Sequence, residues 1–159
     1  MSLLGYRHRP TYAAAIGQVV AFVRSQASVP VWLVGISQGT TAAVVGAAYL
    51  GDKIAGIVVM SSVTGSTSAG ETLFDSDPGR VIVPVLIVAN RGDTCPASPP
   101  TDAPKIGDVL THAPRKEILY LESASSQGQP CDAELSHSYF GIEQATIERV
   151  AEWITANSR

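Results

Sequence analysis

A serine near the middle of residues 31–43 has the sequence context of a nucleophile. The segment consists of a β-branched apolar run, then Gly35-x-Ser37-x-Gly39, then small residues typical of a helix. A serine on a strained strand-to-helix turn exposes its hydroxyl, and the flanking glycines leave room for neighbouring backbone. The helix that follows directs its N-terminal amides at negative charge forming beside the serine. The pattern therefore predicts a nucleophilic Ser37; the alternative is a tight turn whose serine caps the helix.

Two further residues could complete an acyl-transfer site. Asp93 follows the third predicted strand, and His137 lies in the long loop after the fourth. A serine hydroxyl is a weak nucleophile until an imidazole takes its proton, and a carboxylate holds that imidazole in the useful tautomer. The order serine, acid, histidine is the one expected for a serine on such an elbow. In the alternative interpretation, Asp93 is a turn residue beside Gly92 and His137 is a surface or loop-capping histidine.

Alternating strand and helix patterns must position these residues. Strands separated by helices imply right-handed βαβ units, so we predict an α/β fold with a mostly parallel sheet of about four strands flanked by helices in three layers. Ligands gather at the carboxyl ends of such strands, where Ser37, Asp93 and His137 all lie. The predicted strands are 29–35, 54–60, 81–89 and 116–121, and the predicted helices are 11–24, 39–50, 104–112 and 142–156.

Hydrophobic spacing predicts which faces of the first and last helices are inward. In the first helix the apolar stripe comprises Tyr12, Ile16, Val19, Val20 and Val23. In the last helix it comprises Ile147, Val150, Trp153 and Ile154. The other two histidines, His8 and His112, have no strand-end context, and we expect both to be in solvent.

Composition excludes several classes of function. The chain has 159 residues, 45% of them hydrophobic and 16% charged, which is typical of one globular domain spanning 1–159. A net charge of −3 without a basic cluster argues against nucleic-acid binding. No apolar run has the length of a membrane span, and no phosphate-binding or dinucleotide-binding motif is present. Two cysteines without a histidine partner make no recognisable metal site, so we expect neither metal nor cofactor.

From residue 7 to its end, the chain resembles the C-terminal half of an α/β-hydrolase, and more narrowly a group of bacterial serine hydrolase-like proteins. The resemblance is carried by residues 31–40, 92–95, 130–131 and 136–143. It implies Ser37 as nucleophile, Asp93 as acid and His137 as base in the hydrolysis of a small acyl substrate through an acyl-enzyme. The backbone amide of Gln38 would be one oxyanion donor.

The chain departs from that family because it has no room for the strands that precede the elbow strand. The loop that supplies the second oxyanion donor is then absent, and the apolar strand Val31–Val34 lies at the sheet edge, where it can pair with another chain. Three explanations remain open: a truncated form of a longer exported hydrolase, which we favour, a homodimer or partner that completes the sheet, or a relic without activity. The last corresponds to a non-catalytic binding module with an incomplete oxyanion hole.

The two cysteines bear on the same site. Cys95 lies two residues after Asp93, and Cys131 lies six residues before His137. If the catalytic groups converge, these loops are neighbours and a Cys95–Cys131 disulfide is feasible; the alternative is two free thiols. A persistent disulfide favours a periplasmic or secreted protein, although no signal peptide is recognisable in the sequence.

Overall fold

The computed structural model describes residues 5–65, 70–123 and 128–158. Within them, α-helices and strands follow the predicted order along the chain, and the segment between β2 and β3 contains no described α-helix. The helices are α1 (Pro10–Gln26), α2 (Gly39–Leu50), α3 (Ala103–Val109) and α4 (Glu143–Asn157). The strands are β1 (Trp32–Ile36), β2 (Gly56–Met60), β3 (Val85–Asn90) and β4 (Lys116–Leu121).

The four described strands form one parallel sheet in the order β1-β2-β3-β4. The two central strands, β2 and β3, consist almost entirely of buried apolar residues, as expected for strands covered on both faces. On one face of the sheet lie α2 and α3, with α1 packed on α2, and on the other face lies α4. The predicted three-layer α/β/α arrangement with a parallel sheet is therefore confirmed.

The strand predicted at the sheet edge lies there. Within the described residues, β1 pairs on one side only, with β2. Two of its apolar side chains face solvent: Val34 is 55% exposed and Ile36 is 41% exposed. The edge strand thus combines unpaired backbone groups with exposed apolar surface.

The apolar face predicted for α1 is only partly correct. Val20 is buried and Ile16 packs against the core, but Val19 is 62% exposed and Val23 is 38% exposed. The reason is the rotation of the helix about its axis. Ala13, Ile16 and Val20 share the face that turns inward, and the other two valines lie on an adjoining face that no described element covers.

In α4, the expectation that Ile147 points inward is wrong. Ile147 is 63% exposed, because the buried stripe of the helix runs through Thr146, Val150 and Trp153. The spacing of these three residues, four and then three, follows one side of a helix. The other predicted contacts of α4 with the sheet are confirmed.

Two strands begin three or four residues later than predicted. The third strand starts at Val85 instead of near residue 81, and the first starts at Trp32 instead of near residue 29. A proline, Pro84 or Pro30, precedes each start. Proline has no backbone N–H to donate to a neighbouring strand, so regular pairing begins only after it.

Candidate active site

The turn between β1 and α2 holds Ser37 in a strained conformation. Its φ angle is 52°, in the left-handed region that residues with a side chain rarely adopt. The Ser37 N–H donates to the carbonyl of Met60 at 2.9 Å, and the Ser37 carbonyl accepts from the Thr40 hydroxyl at 2.6 Å. A Cβ atom at Gly35 would collide with the backbone carbonyl of Gly39, which explains the first glycine. Around Gly39 itself the space is open, so the expected close approach there is wrong.

The loop after β3 buries Asp93 and supplies donors to both of its oxygens. The residue is 6% exposed. Its Oδ1 accepts the N–H of Cys95 at 2.8 Å. Its Oδ2 lies 3.0 Å from Nδ1 of His137 and accepts the hydroxyl of Ser98 at 3.0 Å. These contacts satisfy a carboxylate whose burial without partners would be costly.

Ser98 also influences which ring nitrogen of His137 carries the proton. The oxygen of Ser98 lies 3.0 Å from Nδ1 of His137 as well as 3.0 Å from Oδ2 of Asp93. A hydroxyl has one proton, and an ionised carboxylate can only accept, so Ser98 donates to Asp93 and accepts from Nδ1–H. The arrangement favours the tautomer with its lone pair on Nε2, which is the form that a general base requires.

Ser37 and His137 are attached to consecutive residues at the end of β2. Met60 accepts the N–H of Ser37, and the next residue, Ser61, donates its hydroxyl to the carbonyl of His137 at 2.7 Å. Among the contacts between described residues, none is a hydrogen bond from the Ser37 hydroxyl to the His137 ring. Such bonds are often long without substrate and shorten when substrate binds.

A buried tyrosine supports this junction. Tyr139 donates its hydroxyl to the carbonyl of Val88 at 3.0 Å and accepts the N–H of Ser61 at 3.1 Å. Burial raises the pKa of Tyr139 to about 12, so the hydroxyl remains protonated and able to donate at neutral pH. The tyrosine therefore ties the segment that carries His137 to the ends of both central strands.

The last residue of β3, Asn90, joins three loops with one side chain. Its amide nitrogen donates to the hydroxyl of Ser123 and to the carbonyl of Ser136, both at 2.7 Å. Its amide oxygen accepts the N–H of Gly92 at 3.0 Å and that of Ser123 at 3.1 Å. Asn90 is 1% exposed, so this satisfied amide lies inside the protein, at the start of the loop that carries Asp93.

Gln38 offers two polar groups at the start of α2. Within the part of the chain that the structure describes, no group accepts a hydrogen bond from its backbone N–H, so this donor is available to a ligand. Its side-chain oxygen accepts Nη1 of Arg7 at 2.9 Å. Arg7 comes from the turn that precedes α1 and was not among the site residues predicted from sequence.

The Cys95–Cys131 disulfide is formed, as predicted. It joins the acid loop to the segment that leads into His137, across 36 residues of sequence. Cys95 is buried and Cys131 is exposed, so the bridge links the interior of the protein to its surface. No cysteine in the described residues is free.

The expectation that His8 is in solvent is wrong. Its Nδ1 lies 2.7 Å from Oε2 of Glu71, and the side chains of His8 and Glu71 are 29% and 3% exposed. The turn before α1 brings His8 against the loop that follows β2. His112 is exposed, as predicted, and its Nδ1 lies 2.6 Å from the carbonyl of Gly79.

Neither a metal centre nor a membrane span is found in the described residues. No three or more His, Cys, Asp or Glu side chains are grouped there so as to hold a metal ion. No helix in the same ranges is both long and apolar enough to cross a membrane.

Sequence reasoning missed Ser98, Ser61, Asn90 and Arg7. Ser61 and Asn90 carried a usable signal, since each lies at the carboxyl end of a buried strand. Ser98 lies five residues after Asp93, within the same loop, where serine is common. Nothing in the sequence placed Arg7 near the elbow.

Solved structures that resemble this chain are hydrolases of the α/β fold. One is a cold-adapted esterase from an Arctic intertidal metagenomic library, at 13% identity and a TM-score of 0.65 over 93% of this chain and 56% of that one. Another is the Paleococcus ferrophilus monoacylglycerol lipase, at 14% identity and a TM-score of 0.65 over 92% and 74% of the two chains. A third is an α/β hydrolase from lagoon sediments at Mar Chica, Morocco, at 16% identity and a TM-score of 0.60 over 92% and 69%.

The likeness at these identities is one of fold. The chain spans 56% of the length of the Arctic esterase. No family model matches the sequence, and no curated protein matches it.

Proposed function

We propose that this chain, which has the α/β-hydrolase fold, is a serine hydrolase of esters or related acyl bonds. The observation that carries the proposal is the buried contact among Asp93, Ser98 and His137. It lies at the carboxyl ends of the strands, where the strained elbow also carries Ser37. Acyl transfer requires a carboxylate–imidazole pair and an accessible serine, and here the pair is buried and Ser37 is partly exposed.

In the proposed mechanism, the Ser37 hydroxyl attacks the substrate carbonyl while Nε2 of His137 takes its proton. Asp93 holds Nδ1–H and stabilises the imidazolium that forms. The free N–H of Gln38, at the positive end of α2, binds the developing oxyanion. His137 then protonates the leaving alcohol, and a water activated by the same imidazole releases the acyl group from Ser37.

Labelling with a fluorophosphonate probe tests this proposal. We expect wild type to be labelled and both Ser37→Ala and His137→Ala to lose labelling, because the probe needs an activated serine. Ser28→Ala is the matched control, since Ser28 is exposed and precedes β1, whereas the elbow follows it. Hydrolysis of a short acyl ester that persists in Ser37→Ala would contradict the proposal.

Two observations favour a second candidate, a non-catalytic binding module. The Ser37 hydroxyl is not hydrogen-bonded to His137. Gln38 is also the one oxyanion donor that we assign among the described residues, and the loss of one such donor typically lowers the rate about 10²–10³-fold. A folded wild-type protein that takes no label and hydrolyses no ester would support this second candidate.

We also propose that the exposed edge of β1 pairs with another strand, from a second copy or a different polypeptide. The exposure of Val34 and Ile36 beside unpaired backbone supports this. Sedimentation of the purified chain tests it, and a monomer at all concentrations would contradict self-pairing.

For the location of the protein, we propose an oxidising compartment, either the periplasm or the extracellular space, because the disulfide requires one to persist. Alkylation in intact cells followed by mass spectrometry tests this. Two free thiols in the native protein would contradict it.

A further inference from the structure

The turn before α1 contacts the loops at the carboxyl ends of the strands, where the proposed active site lies. Nη1 of Arg7 donates to Oε1 of Gln38, in the turn after β1, at 2.9 Å. Nδ1 of His8 lies 2.7 Å from Oε2 of Glu71, in the loop after β2. Two neighbouring residues thus contact two separate loops at the carboxyl ends of the strands, which is where α/β sheets bind their ligands.

Arg7 carries a charge that its surroundings do not neutralise. No acidic side chain in the described ranges lies within ion-pair distance of its guanidinium. The buried Glu71 is in contact with His8, the next residue in the chain. Among the described residues, the hydrogen-bond partner of Arg7 is the neutral amide of Gln38, so within these ranges four of the five guanidinium N–H donors remain for other partners.

The guanidinium is also held in place. The residue Arg7 is half-buried, and its guanidinium donates to the side chain of Gln38, the residue whose backbone N–H we assign to the oxyanion. A guanidinium with a fixed orientation presents a pair of parallel N–H donors, and a carboxylate matches that pair in geometry and charge. A neutral ligand would leave the charge unpaired.

We propose that Arg7 binds a carboxylate carried by the substrate, so that the preferred substrates are esters with an anionic group near the scissile bond. This inference rests on the proposed hydrolase function and specifies its substrate class. The carboxylate contacts the free N–H groups of Arg7 while the ester carbonyl lies against Gln38 and Ser37. Arg7 is then a specificity residue, and the hydrogen bond that it donates to Gln38 positions it.

Matched pairs of esters test the proposal. On the acyl side, the mono-4-nitrophenyl ester of glutaric acid is compared with 4-nitrophenyl hexanoate, which is similar in length and uncharged. On the leaving-group side, 3-acetoxybenzoate is compared with its methyl ester. For each pair we divide kcat/KM of the anionic ester by kcat/KM of the neutral ester. We expect Arg7→Gln to lower this quotient by roughly 10- to 100-fold in one of the pairs, mainly by raising KM for the anionic ester.

Two further variants make the result specific. Arg7→Lys keeps the charge but loses the paired donors, so it should retain part of the preference. Arg149→Gln removes one positive charge from an exposed site on α4 and should leave the ratio unchanged. A ratio that Arg7→Gln does not alter in either pair overturns the proposal, and so does an equal loss on the charged and neutral esters, which indicates an oxyanion or structural role.

Binding distinguishes failure of this inference from failure of the hydrolase function. Monoethyl glutarate is titrated into Ser37→Ala, which cannot turn it over, and the amide signal of Gln38 and the Nε–H signal of Arg7 are followed by NMR. Shifts that saturate and that disappear in the Ser37→Ala, Arg7→Gln double variant support the anion site even if wild type hydrolyses nothing. Absence of these shifts overturns the site even if wild type hydrolyses neutral esters.

Discussion

The Ser98 hydroxyl oxygen lies 3.0 Å from Nδ1 of His137, as close as the carboxylate of Asp93 lies to the same nitrogen. The imidazole is therefore oriented by two buried groups, one charged and one neutral. Since both come from the loop after β3, any movement of that loop carries both partners of the histidine with it.

Ser98→Ala should lower kcat about tenfold, because one hydrogen bond that fixes the ring is lost while the carboxylate remains. Ser98→Thr keeps the hydroxyl and should recover part of the loss. The measurement is ester hydrolysis together with the ¹H NMR signal of the His137 Nδ1 proton, which should move in Ser98→Ala. An unchanged proton signal combined with lower activity would point to a general loss of packing.

Asp93→Asn should have a much larger effect, a loss of about 10⁴-fold in kcat. The amide keeps the shape of the carboxylate but can donate to Nδ1, which favours the tautomer that leaves no lone pair on Nε2. Fluorophosphonate labelling rates measure the effect, and Asp108→Asn, at an exposed position, is the control. A loss no greater than that of Ser98→Ala would contradict the assignment of Asp93 as the acid.

Removal of the disulfide, by Cys95→Ala together with Cys131→Ala, should lower the free energy of unfolding by roughly 3–4 kcal/mol, the loop-closure value for a bridge that spans 36 residues. Denaturant unfolding measures it. Activity should fall as well, because the acid and base loops lose their covalent link. Full activity in the double variant would mean that hydrogen bonds alone hold the two loops.

Stability at alkaline pH should depend on Tyr139. Its pKa is raised to about 12 in the folded protein, so the folded state holds the proton more tightly than the unfolded chain, whose tyrosines titrate near 10. The corresponding stabilisation, roughly 2–3 kcal/mol, is complete below about pH 10 and is lost as the pH rises to about 12. Chemical unfolding between pH 9 and 12 should show this fall, and Tyr139→Phe should reduce its slope although the variant is less stable throughout.

The contact between Asp93 and His137 could be predicted because a parallel sheet brings the carboxyl ends of its strands together. That argument needs only the strand pattern, and it places both residues at one edge. It does not give the contacts made within the edge. Asn90 bonds to Ser123, 33 residues away, through an amide whose partners are set only when the loops pack.

The errors in the helical faces have a related cause. In α1 the apolar residues extend over more than one side of the helix, and only the packing on α2 selects the side with Ala13 and Val20. The expectation that His8 lies in solvent fails for the same reason. Its partner Glu71 is 63 residues distant, and a turn without regular pattern brings them together.

The position of β1 at the sheet edge divides the proposed site into parts of unequal local stability. Asp93 and His137 depend on β2 and β3, which are covered on both faces of the sheet, so we expect their amides to open at a higher free-energy cost. Ser37 follows a strand that is bonded on one side, and such a strand frays at lower free-energy cost. Heating should therefore separate nucleophile from base while the acid–base pair is still intact, so that inactivation precedes the loss of tertiary structure and is reversed on cooling.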